Sequence, residues 1–215
     1  KVLARYFEIL FRDFGAFWRS YLITAACFIP CIIAVLFGLL FHQYLGMVLI
    51  AAVVYILGSF LCGPALLAQH AVIVKAVRDI PGYMWHDYKK AWKENAKQAR
   101  PVGVAIMVLL ALECISVYFY LAMDKINIIM VALVLFCLLI LTSASLLIFL
   151  QMIFLALPVP GMVKNSLLMT FGYAKRTIPA ALFVLVPTIF FAGFVPVVAW
   201  MPLLLLGFPM MLTLA

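Results

Sequence analysis

Glu113 is the residue of this sequence whose position points most directly to chemistry. It is the one carboxylate in the middle of a long apolar run, and an ionisable group at such a place indicates a functional site by default. Helical spacing puts Thr142, Ser143 and Ser145 of a later apolar run at a similar depth. One hypothesis is a proton- or cation-linked site, or an acceptor for a polar solute. The other, which we favour, is a glutamic acid that burial keeps protonated and that bonds to neighbouring hydroxyls.

The pair Gly63-Pro64 interrupts the second apolar run. Proline removes a backbone donor and opens a helix, as in the discontinuous helices of transport sites. The spacing Ser59-x-x-x-Gly63 equally predicts a close contact between two helices, and we favour packing. The candidate intramembrane polar site comprises Glu113, Ser143, Ser145, Gly63 and Pro64.

Sequence motifs of catalytic centres are absent. The chain has no Gly-x-x-x-x-Gly-Lys-Ser/Thr loop, no Gly-x-Ser-x-Gly elbow and no His-Glu-x-x-His helix. All five cysteines fall inside apolar runs, where thiols usually serve packing. Cys27 and Cys31 would share a helix face, and packing is a better interpretation than a metal or redox pair. We therefore expect no enzyme activity, no cofactor and no metal.

Composition indicates a membrane protein. Hydrophobic residues make up 69% of the 215 residues and charged residues 10%, with a mean hydropathy of +1.27, whereas soluble domains are about half apolar and about a quarter charged. A spanning helix needs about 20 apolar residues, and six runs qualify: 20–41, 46–74, 102–123, 126–157, 179–195 and 197–215. Prolines interrupt the last two, which could form a single span with a re-entrant end. The predicted fold is an all-α polytopic transmembrane bundle, with 1–215 as one membrane domain.

The net charge of +8 is concentrated on one side of these runs. Every lysine and arginine except Lys125 lies in the N-terminal segment or in alternate connections. This asymmetry predicts that both termini and the basic connections are cytoplasmic. Beside a membrane, such basic faces favour anionic lipid over nucleic acid.

Three basic segments have the pattern of amphipathic helices. In 82–100, aromatic and small residues recur every three or four positions between charged ones, which predicts a helix lying in the membrane interface. The N-terminal segment repeats the pattern, and 162–178 is a weaker copy. The candidate residues for the interface or for docking a partner are Trp85, Tyr88, Trp92, Asn95, Lys97, Lys164 and Asn165.

A repeated motif divides the chain into similar units. Pro81-Gly82 parallels Pro160-Gly161, and the motif that ends at Pro101 parallels the one that ends at Pro179. We interpret the chain as three units, 1–79, 80–158 and 159–215, each an interfacial helix followed by a transmembrane hairpin.

Two stretches carry a family resemblance. They are Gly63-Pro64-Ala65, which leads through Val77-Arg78-Asp79 to the aromatic and basic segment 85–98, and the later Lys164-Asn165-Ser166-Leu167-Leu168. Both resemble the YesL family of small bacterial polytopic membrane proteins. The resemblance implies a plasma-membrane protein with an accessory or regulatory role beside ABC-type carbohydrate importers. The alternative function is an autonomous small-solute or proton-linked transporter that uses the site near Glu113.

Overall fold

The computed structural model describes residues 2–121, 123, 127–155 and 157–192. Within these ranges the chain is helical and contains no strand. The helices are α1 (Val2–Arg12), α2 (Phe14–Leu40), α3 (Leu45–Val77), α4 (Met84–Leu121), α5 (Ile128–Phe154), α6 (Val159–Gly172) and α7 (Ala174–Ala192). Four of them, α2 to α5, are long and apolar enough to cross a membrane. The prediction of an all-helical chain with helices of membrane-spanning length is confirmed.

The ends of the first four predicted apolar runs lie within a few residues of helix ends, except at the starts of α2 and α4. There the helix begins earlier than the run. The first four runs correspond to α2, α3, the second half of α4, and α5. The run 179–195 begins within α7, and 197–215 lies outside the described residues. The amphipathic N-terminal segment is divided between α1 and the start of α2, with a break at Asp13.

The segment 82–100 is not a separate helix, which corrects the sequence prediction. From Met84 it continues through Pro101 into the apolar part of α4 as one helix of 38 residues. Pro101 removes one backbone donor, but Ala99, Val102 and Gly103 on either side of it are buried. Tertiary packing therefore holds α4 together across the proline.

Three contacts bring the charged ends of the helices together. Arg12, at the end of α1, bonds to Asp79, just after α3. Lys75 of α3 pairs with Asp87 of α4. The guanidinium of Arg78 lies 4.3 Å from the ring centre of Phe154, the last residue of α5. The start of α2, the end of α3, the start of α4 and the end of α5 therefore share one end of the bundle, which we call the charged end.

Burial divides the long helices into two parts. In α3, most residues from 45 to 61 are exposed, whereas nearly all from 62 to 74 are buried. In α5, residues 142–152 are all buried, but most of those from 128 to 141 are not. The helices thus pack tightly toward the charged end. Toward the other end their apolar side chains are exposed, which is the arrangement expected of helices that contact lipid.

Small residues set the closest helix contacts. A Cβ on Gly58 would lie 3.0 Å from both Cys31 Sγ and Pro30 Cβ of α2. A Cβ on Gly63 would overlap the carbonyl oxygen of Ala99 in α4. α3 is therefore packed between α2 and α4 through its glycines, as is typical of membrane helices.

Candidate functional site

The charged end contains an ion-pair network centred on Asp79. Its carboxylate accepts hydrogen bonds from Arg5, at 2.5 Å, and from Arg12. Arg12 also bonds to Asp13 and donates to the carbonyl oxygen of Ala76 at 2.7 Å. The bond from Arg12, together with the charge of Arg5, lowers the pKa of Asp79. These contacts fasten α1 to the end of α3.

Asp79 also ends α3 in a strained backbone conformation. Its φ of 55° lies in the left-handed region that favours glycine. The amide of Ile80 bonds to the Lys75 carbonyl at 3.0 Å, and the amide of Asp79 bonds to the Ala76 carbonyl at 3.2 Å. This is the Schellman arrangement, in which glycine is the usual residue at the left-handed position. An aspartate is less stable than a glycine in this conformation. It supplies, however, the carboxylate that α1 binds.

A second ion pair lies beside the first. Asp87, in the first turn of α4, is 8% exposed and pairs with Lys75 at 2.5 Å. A Cβ on Gly82 would overlap Asp87 Oδ2, so the glycine makes room for this carboxylate. The two ion pairs border a cleft of about 390 Å³ between α1, the start of α2, α3 and α4. The cleft carries both signs of charge, and the described residues include no group of side chains able to hold a metal ion.

The aromatic docking candidates have different surroundings. Tyr88 is 3% exposed, and its hydroxyl lies 3.1 Å from Thr24 Oγ1 of α2. Because Thr24 donates to the Ser20 carbonyl, its oxygen can accept from Tyr88. Trp92 packs against Tyr88 and the buried core, whereas Trp85 is 58% exposed. Of these three aromatic side chains, only that of Trp85 is exposed enough to contact mainly lipid or a partner protein.

The polar docking candidates lie on two helices near the charged end. In α4, Asn95 is half-buried and donates to the Ala91 carbonyl at 3.2 Å, while Lys97 is exposed. In α6, Lys164 is exposed and Asn165 is half-buried. The side chain of Gln98 donates to the Leu157 carbonyl at 3.0 Å and so fastens α4 to the connection before α6.

The structure places Gly63 and Pro64 at a helix contact. α3 continues through Pro64 without a break, and both residues are buried. Gly63 faces the backbone of α4 at Ala99 and Gly103. This geometry matches the packing interpretation of Ser59-x-x-x-Gly63 and leaves no opening in α3 for a solute.

The structure does not bring Glu113 together with the hydroxyls of α5. Thr142, Ser143 and Ser145 each donate to a carbonyl of their own helix, at 2.8 Å. Ser145 lines an apolar groove whose wall on α4 runs from Pro101 to Leu109, and Glu113 lies about one turn beyond that wall. Glu113 is half-buried and makes no hydrogen bond or ion pair to any residue that the structure describes.

The structure also shows a thiol contact that sequence reasoning missed. Cys31 of α2 and Cys62 of α3 are buried, and their sulfur atoms are 3.7 Å apart. Spacing within one helix suggested Cys27 as the neighbour of Cys31, because contacts between helices leave no mark in residue spacing. Asp79 was missed as the centre of the ion pairs for the same reason. Its position in the sequence, between the basic end of α3 and the turn at Pro81-Gly82, could have indicated an ion pair.

Comparison with known proteins gives no relative: no protein-family model, no curated protein and no solved structure matches this chain.

Proposed function

We propose that this chain is a non-enzymatic integral membrane protein that acts as an accessory or regulatory component of an ABC-type carbohydrate importer. Its docking surface is the exposed basic face of the first half of α4, formed by Lys89, Lys93 and Lys97. One observation carries the proposal: the opposite face of the same segment is fixed to the protein by Tyr88, Asp87 and Gln98. A surface that is already ordered loses little conformational entropy when a partner binds.

The identity of the partner rests on the resemblance to the YesL family, which stays a prediction. Membership would make the chain a protein of the bacterial plasma membrane. The importer subunit expected to dock carries acidic side chains on its cytoplasmic surface, because oppositely charged patches guide association.

The proposed topology has six spans in three units, with both termini in the cytoplasm. The ion pairs of α1, α3 and α4 support the part of it that concerns these helices, since their basic residues gather at one end of the bundle. The rule that cytoplasmic segments carry the excess of lysine and arginine then assigns this end to the cytoplasm.

Autonomous transport through a site near Glu113 has less support. The hydroxyls proposed as its companions bond to their own helix, and Gly63 is closed against α4. A solute path would need polar groups that converge on one space.

The experiment is purification of the tagged protein from its native membrane under mild detergent. We expect importer subunits to copurify, and we expect the double variant Lys89→Glu/Lys93→Glu to lose them. The matched control is Arg19→Glu/Lys175→Glu, which reverses two exposed cations elsewhere on the described surface. Equal recovery with both double variants would refute the docking surface, and solute uptake by liposomes that contain the purified chain alone would favour the transporter.

A further inference from the structure

A groove of about 580 Å³ opens between α4, α5 and α6. Its walls are formed by residues from Pro101 to Leu109 of α4, from Cys137 to Ile148 of α5, and by Val159, Val163 and Leu167 of α6. It is separate from the charged cleft, and on α4 it begins at Pro101, one turn after Lys97, the last residue of the docking surface.

The groove offers a polar solute almost nothing to bind. Its lining is aliphatic apart from Cys137 and Ser145. The hydroxyl of Ser145 already donates to the Thr142 carbonyl at 2.8 Å. A sugar would lose its hydrogen bonds to water here without replacement, whereas a hydrocarbon chain would lose none.

The dimensions of the groove match one leaflet of a bilayer. It extends about 12 Å along α4 and about 16 Å along α5, at 1.5 Å per residue. Half of a hydrocarbon core about 30 Å thick has the same length. The groove runs along the helices, as an acyl chain does.

Three basic residues lie close in sequence to the groove residues Pro101 and Val163. Lys97 and Arg100 come just before Pro101 in α4, and Lys164 follows Val163 in α6; all three are exposed. An anionic headgroup beside these residues would meet three cations, while its acyl chain entered the apolar part.

We propose that this groove binds one acyl chain of an anionic phospholipid from the leaflet at the charged end, with the headgroup phosphate held by Lys97, Arg100 and Lys164. The inference does not depend on an importer partner. It gives Arg100 and Lys164 a ligand that the docking proposal does not require, and Lys97 is the one cation that both proposals use.

Native mass spectrometry after exchange into defined lipid tests the proposal. We expect the protein to retain one phosphatidylglycerol in preference to phosphatidylcholine. Ala105→Phe should abolish retention by filling the groove, whereas Ala52→Phe, on an exposed part of α3, should not. Lys97→Gln/Arg100→Gln/Lys164→Gln should weaken the preference by about fivefold per cation, and the control Lys89→Gln/Lys90→Gln/Lys93→Gln should leave it unchanged. Equal retention by both phenylalanine variants, or equal loss with both glutamine sets, would overturn the proposal.

Photocrosslinking identifies the occupant without filling the groove. The residue replaced is Ile140, which lines the groove, and its replacement is the diazirine analogue of leucine, which is close to isoleucine in size. We expect the crosslinked product to carry the mass of one phospholipid. A crosslink to residues 193–215 of the same chain, or to a second copy, would assign the groove to protein and overturn the proposal.

Discussion

The backbones of Gly63 in α3 and Gly103 in α4 are in direct contact, since a Cβ atom on Gly63 would lie 2.9 Å from the Cα atom of Gly103. We expect Gly63→Ala to destabilise the protein by about 1–3 kcal/mol, because two helix backbones must separate to admit the methyl group. The measurement is unfolding in mixed micelles by titration with a denaturing detergent.

The control for this substitution lies in the same helix. Among the residues that the structure describes, a methyl group on Gly46 would meet no neighbouring helix or side chain within 4 Å, so Gly46→Ala should leave stability unchanged or raise it by up to about 1 kcal/mol. Equal destabilisation by both substitutions would contradict the close contact of α3 with α4.

Acid should release α1 from the end of α3. The hydrogen bond from Arg12 and the charge of Arg5 lower the pKa of Asp79 below its ordinary value of 3.8. A carboxylate with a lowered folded-state pKa stabilises the folded form at pH above the ordinary value and loses this contribution as pH falls through the folded value. The α1 contact should therefore persist at neutral pH and weaken only below about pH 4.

Hydrogen exchange of the α1 amides, corrected for the intrinsic rate at each pH, measures this release. Asp79→Asn keeps a residue that tolerates the left-handed conformation but removes the charge, so α1 should exchange fast at every pH. Glu94→Gln removes a carboxylate from an exposed pair with a separation of 3.9 Å and should leave the profile of α1 unchanged. An unaltered profile in Asp79→Asn would rule out Asp79 as the anchor.

Sequence patterns located the long helices because hydrocarbon length and hydropathy are local properties. Each of the first four apolar runs corresponds to a helix or to part of one. The patterns failed at Pro101, where a proline beside a change from charged to apolar residues predicted a boundary. The buried neighbours Ala99 and Gly103 supply packing against α3 that outweighs the missing backbone bond.

The candidate site was predicted less well because it depends on contacts between helices. Depth along each apolar run grouped Glu113 with Gly63 and Ser143, but Gly63 meets Gly103 of α4, which is about 15 Å before Glu113 along the helix. Residue counts do not show how far one helix is shifted along its neighbour. The motif Ser59-x-x-x-Gly63 did carry the correct packing signal, and Ala99-x-x-x-Gly103 is its counterpart in α4.

Oxidation should join α2 to α3 through Cys31 and Cys62. Their sulfur atoms are 3.7 Å apart, so a rearrangement of about 1.7 Å would bring them to the disulfide length of about 2.0 Å. We expect copper phenanthroline with oxygen, which takes up the two electrons of the paired thiols, to produce this link. Peptide mapping without reductant should find it in the wild type and in Cys27→Ser and lose it in Cys62→Ser. A link between Cys27 and Cys31 would contradict the structure.

The continuity of α4 predicts a long, fixed distance between its ends. Spin labels at positions 89 and 112 are separated by 23 residues, or about 35 Å along an unbroken helix. A separate interfacial helix that turned at Pro101 would bring the labels closer and broaden the distribution, because the two segments would move independently. Pro101→Ala restores the missing backbone donor and should keep the distance and narrow its spread. Labels at positions 54 and 77 of α3, which are also 23 residues apart in one helix and are not fully buried, give the reference distribution. A wild-type distance well below that reference would mean that the basic segment is hinged, and the lysine face of α4 would then lack the rigid support on which the docking proposal depends.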